Sequence, residues 1–95
     1  MRVFPGALGG MTQVLKATAT LDFDLTAVVS HTLTITVTGA ALNDPVALGV
    51  PNGSVTADTL FWAWVSGTDT VSVRAMRLAG TPNPASGTFS VLVFK

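Results

Sequence analysis

The stretch Leu60–Leu78, LFWAWVSGTDTVSVRAMRL, constrains the fold more than any other part of the chain. It holds both tryptophans and two of the three arginines. In an extended chain Leu60, Trp62 and Trp64 point one way, and Phe61, Ala63 and Val65 the other, so the first arm is apolar on both faces. The second arm alternates: Val71, Val73 and Ala75 on one side, Thr70, Ser72 and Arg74 on the other. The polar residues Ser66-Gly67-Thr68-Asp69 separate the arms, and Gly67 is the candidate for a left-handed turn position. The β-branched and aromatic content and Gly67 disfavour a helix. The segment predicts a β-hairpin.

A strand apolar on both faces is either central between packed layers or covered by another subunit. An exposed, uncharged, proline-free FWAWV segment would also be prone to aggregation. The plain expectation is a core strand. Phe61, Trp62 and Trp64 are the candidates for a subunit interface, where aromatics are enriched. A sugar- or base-stacking platform is the remaining use of the tryptophans.

The rest of the chain supplies more strands. Gln13–Asp24 sets Leu15, Ala17, Ala19, Leu21 and Phe23 against Lys16, Thr18, Thr20, Asp22 and Asp24, a half-buried strand. Leu25–Val29 reads as a turn of helix or a sheet crossover. Ser30–Thr38 alternates His31, Leu33, Ile35 and Val37 with a threonine ladder suited to an exposed sheet face. Asn43-Asp44-Pro45 and Pro51-Asn52-Gly53-Ser54 are turns around a short strand, Val46–Gly49. Gly80-Thr81-Pro82-Asn83-Pro84 is a loop. Thr88–Lys95 is a last strand with Phe89, Val91 and Val93 on one face and Ser90, Leu92 and Phe94 on the other. It too is apolar on both sides, which predicts a place beside the tryptophan strand or at an interface. The expectation is therefore all-β: a single small β-sandwich or jelly-roll-like barrel of about six to seven strands. The domain is residues 13–95. Residues 1–12, glycine-rich and without a period, read as a flexible N-terminal arm, with Phe4 and Leu8 as apolar anchors for a neighbouring surface.

Composition narrows the function. A chain of 95 residues has a modest core. It has no cysteine and a single histidine, so disulfides and a one-chain zinc site are not expected. Self-association is the remaining route to extra burial. Charged residues are 11% of the chain and the formal net charge is zero, which argues against a nucleic-acid partner. No stretch is long and apolar enough for a membrane helix or a signal peptide. Ser30 and His31 point to opposite faces of one strand, and no nucleophile, phosphate-loop or metalloprotease motif is present, so no enzyme and no cofactor are expected. Asp22 and Asp24 share a face but lack further oxygen ligands for a hard cation. Arg74 lies on the polar face. Arg77, three residues on, falls on the apolar one, where it needs a carboxylate (Asp44, Asp58 or Asp69) or an exit at the sheet edge. Both arginines, with Phe94, join the interface candidates.

Four patches, LTITVTGAAL at Leu33–Leu42, DPVALGVP at Asp44–Pro51, VSVRAM at Val71–Met76 and PASGTFSVLV at Pro84–Val93, resemble small virion structural proteins of tailed bacteriophages. Some of these are head decoration, or cement, proteins. In that pattern a glycine usually precedes the aspartate and an asparagine often follows the arginine; here Asn43 and Arg77 stand there. The resemblance implies a β-domain on the capsid surface of the virion, a homotrimer that clamps the major capsid protein with its termini. A tail, neck or fibre component and a small carbohydrate-binding module are the alternatives.

Overall fold

The computed structural model describes residues 13–95. The arm 1–12, with Phe4 and Leu8, lies outside the described residues. Six strands follow one another: β1 (Val14–Leu21), β2 (Ser30–Thr36), β3 (Val46–Gly49), β4 (Thr59–Gly67), β5 (Thr70–Arg77) and β6 (Gly87–Phe94). They form two antiparallel three-stranded sheets, in the orders β1-β6-β3 and β2-β5-β4. The all-β sandwich expected from alternation is the fold observed.

The winding is that of a long hairpin rolled up. β1 pairs with β6 and β2 with β5, while β3 and β4, nearest the midpoint, lie on the edges of opposite sheets. Every connection except the β4–β5 hairpin changes sheet. Leu25–Val29 is thus a crossover. It is held by Asp24, whose Oδ1 accepts the backbone N–H and the hydroxyl of Thr26 at 3.0 and 2.7 Å. Those two bonds, the hydroxyl's first, hold the Asp24 carboxyl below its ordinary pKa.

The core is the inward half of each alternating strand. Val71, Val73 and Ala75 of β5 and Phe89, Val91 and Val93 of β6 are all fully buried. Both strands are central, so each carries neighbours on two sides and the other sheet on its inner face. Phe23, Leu25, Ile35, Val37 and Ala40 complete the cluster. Phe23 meets Phe61 and Phe89 edge-on, with centroids 5.7 and 5.5 Å apart, an arrangement favoured by the ring quadrupoles.

Three details differ from expectation. The last strand does not lie beside the tryptophan strand but at the centre of the other sheet. The tryptophan strand itself is not central: β4 is an edge. In the hairpin the left-handed residue is Asp69, with φ 59°, and not Gly67. A bulge between Val65 and Gly67 takes up the extra loop residue on the β4 side. Asp69 tolerates its conformation because it is hydrogen-bonded three times to the segment after β2. Its N–H donates to Ala40 O, its carbonyl accepts from Val37 N, and its Oδ1 accepts from Gly39 N at 2.8 Å.

Candidate functional site

β4 has one face that the core claims and one that it does not. Phe61, Ala63 and Val65 pack inward. Strand alternation then sends Leu60, Trp62 and Trp64 to the outer face of the sheet. Register sets their neighbours: Leu60 lies opposite Met76, Trp62 opposite Arg74 and Trp64 opposite Ser72. On the far side of β5, Thr32 lies opposite Arg74 and Thr34 opposite Ser72. The outer face therefore grades from hydroxyls on β2 to aromatics on β4.

Arg74 joins the two halves. Its Nε donates to Thr32 Oγ1 at 2.8 Å. Its guanidinium carbon stands 5.0 Å from the Trp64 ring centroid and 5.9 Å from that of Trp62, within the range of a cation–π contact. Ser72 is only 6% exposed although it faces outward. The indole of Trp64 is the large side chain beside it, and its hydroxyl donates to Ser66 Oγ at 2.7 Å. Leu60 remains 47% exposed.

The other sheet carries a second apolar patch on its outer face. Phe94 lies opposite Val14, and Leu92 lies between Lys16 and Ala47. Val14 is 45% exposed, and Leu92 and Phe94 are half-buried. The end of this patch is pinned by Lys95, whose Nζ bonds Asp44 Oδ2 at 2.8 Å. The same oxygen accepts Ala41 N–H at 3.0 Å. The lysine first, and then that amide, hold the Asp44 carboxyl below its ordinary pKa.

The candidate residues thus separate into three groups. Trp62, Trp64 and Arg74 share one outer face, and Phe94 belongs to the opposite one. Phe61 packs against Phe23 and Phe89 on the core side. Arg77 does sit at an inward register position, opposite Thr59. It leaves the sheet end to donate from Nη1 to the Leu25 carbonyl at 3.0 Å. Its partner is a backbone carbonyl, not one of the three aspartates considered. Val14 and Ala47 are not among the residues that the sequence singles out. The one available signal was Val14 itself, an apolar residue in phase with the polar face Lys16, Thr18 and Thr20.

The outer faces carry apolar and hydroxyl side chains. His31 is engaged structurally: its Nδ1 accepts Asp24 N–H at 3.1 Å, and its ring meets Phe23 edge-on at 5.6 Å. Among the described residues no three histidine or acidic side chains come together in a group able to hold a metal. No helix among them is long and apolar enough to cross a membrane. Comparisons with protein-family models, with curated proteins and with solved structures find no match to this chain.

Proposed function

We propose that this protein is an adhesive structural component of a tailed-bacteriophage head, a decoration protein that binds the major capsid protein on the outer surface of the shell. The observation that carries the reading is the presence of apolar side chains on the outward face of both sheets: Leu60, Trp62, Trp64 and Met76 on one, Val14, Leu92 and Phe94 on the other. A small domain with one core needs neither patch for its own folding. Two opposed patches suit a domain lodged between other surfaces. The resemblance at Leu33–Leu42, Asp44–Pro51, Val71–Met76 and Pro84–Val93 supplies the kind of surface.

With zero formal net charge, attachment relies on apolar burial and hydrogen bonds. Binding of this kind resists salt, unlike binding by charge. Each bound copy stabilises the shell by mass action.

The test mixes the purified chain with phage heads that lack it and measures co-sedimentation at low and high salt. Binding that persists in high salt, and that weakens in Trp64→Ala or Phe94→Ser, is the expected result. Failure to bind heads sinks the reading. Binding to tails instead favours the tail or neck alternative. Glycan binding lost in Trp62→Ala favours a carbohydrate module.

A further inference from the structure

We infer that the free edge of β4 is a self-pairing surface, on which a second copy of this chain adds its own β4 antiparallel about a two-fold axis at Trp62. The inference stands on the strand alone and is independent of where the protein attaches.

β4 pairs with β5 on one side, and among the described residues no strand pairs with its other side. An edge strand presents unpaired N–H and C=O groups, and stable monomers blunt such edges with charge, proline or brevity. The other edges of this molecule are managed. β1 carries Lys16, and β3 is only four residues long and lies between Pro45 and Pro51. β2, the other edge of the same sheet, is uncharged, but its outward residues are Ser30, Thr32, Thr34 and Thr36. A strand added there would bury only hydroxyls on the outer face. β4 is nine residues long, TLFWAWVSG, with no charge and no proline. Its outward residues are the most apolar of any edge in the molecule.

The occupant follows from the pattern of the strand. Pairing must keep outward residues beside outward residues, because a one-residue slip exchanges the faces. The regular part of β4 ends at Val65, before the bulge. The midpoint of Thr59–Val65 is Trp62. Two copies related by a two-fold axis there place Trp62 opposite Trp62, and Leu60 opposite Trp64 in both directions. On the inner face Phe61 falls opposite Ala63, large against small. Aromatic–aromatic and aromatic–aliphatic cross-strand pairs are favourable. The interface is self-complementary, as a two-fold contact must be. A charged partner strand would find no counter-charge on β4, whereas an identical strand meets its own apolar stripe. The result is a continuous six-stranded sheet, β2-β5-β4 joined to its two-fold copy. This is a two-fold pair, not the three-fold arrangement that the phage resemblance implies.

The experiment is sedimentation equilibrium of the full chain over a range of concentrations, with circular dichroism as the control for folding. The expected mass is twice that of the 9.8 kDa chain. Trp62→Lys puts like charges opposite each other on the axis and raises the dissociation constant about tenfold or more. Leu60→Lys, at a site already exposed, removes the apolar Leu60–Trp64 pair on both sides of the axis and also weakens the dimer, which keeps the test open if the tryptophan variant folds poorly. Thr34→Lys, on the other edge of the sheet, leaves the dimer intact. A wild-type monomer or trimer overturns the inference. So does a dimer that survives both β4 lysines, or one that Thr34→Lys dissociates.

Discussion

Arg74 lies against the indole of Trp64, its guanidinium carbon 5.0 Å from the ring centroid. The contact ties the central strand to the edge strand across the outer face. The Nε bond to Thr32 ties it to the opposite edge as well. Replacing Arg74 by alanine removes both links, and the expected loss is about 1 kcal/mol. Arg74→Lys keeps the charge but not the planar fork, so it recovers only part of that. Thermal unfolding measures the loss. Tryptophan fluorescence changes in both variants if the cation contact is as described, and unchanged spectra would count against it.

Gly87, the first residue of β6, faces Pro51 and Ser54. A Cβ there would stand 2.7 Å from Pro51 Cγ and 3.1 Å from Ser54 Oγ. Neither neighbour can move freely, since the proline is a ring and Ser54 Oγ donates to Ala85 O. Gly87→Ala is expected to destabilise by about 1–3 kcal/mol through overpacking. At Gly49 the nearest atom, 2.5 Å from an added Cβ, is Ser90 Oγ, the rotatable end of a half-buried side chain. Gly49→Ala should therefore cost less. Denaturant midpoints of the two variants rank them, and the reverse order would refute the argument.

Asp69 combines a positive φ with a side chain that holds Gly39 N–H. Asp69→Ala removes the acceptor and keeps an unsuitable residue in the left-handed region, so the expected cost is about 1–3 kcal/mol. Asp69→Asn tolerates the conformation and keeps an oxygen acceptor, and Asp69→Gly relieves the backbone alone. Alanine should be the least stable of the three in urea unfolding.

Asp44 sits below its ordinary aspartate pKa of 3.8 because Lys95 and the Ala41 amide favour its ionised form. A depressed carboxylate adds stability that is complete above the ordinary value and is lost as pH falls through the lower, folded-state value. The melting temperature of the wild type should therefore drop on going from about pH 5 toward pH 3. In Asp44→Asn the drop should be smaller, with the share from Asp24 remaining. Equal pH profiles for the two proteins would rule out the Asp44 contribution.

Much of the fold is legible in the sequence because strand alternation is a local property. Phe89, Val91 and Val93 share a face in the sequence pattern and are fully buried in the molecule. The hairpin, the turns at Asn43–Pro45 and Pro51–Ser54, and the outward position of Arg74 follow from the same short-range rules. The turn chemistry at Asp69 was not legible. Gly67 is the better intrinsic candidate for positive φ, and only hydrogen bonds from residues 37–40 favour Asp69. That Trp62 and Trp64 share one side of their strand was legible, but not that they and Phe94 lie on the outer faces of opposite sheets. Trp62 and Phe94 look alike in sequence, each on a strand apolar on both sides.

The sequence by itself determined that the chain is all-β, which residues of each strand share a face, and that β4 is apolar on both faces. These follow from side chains that alternate every residue along an extended backbone. Tertiary structure alone decided which strands are central and which are edges. Pairings such as Val14 with Phe94 join the two ends of the described chain, and they depend on how the rolled hairpin closes rather than on any local preference. That closure leaves LFWAWV on an edge with its tryptophans outward, and turns a strand that reads as core into one with an apolar outer face.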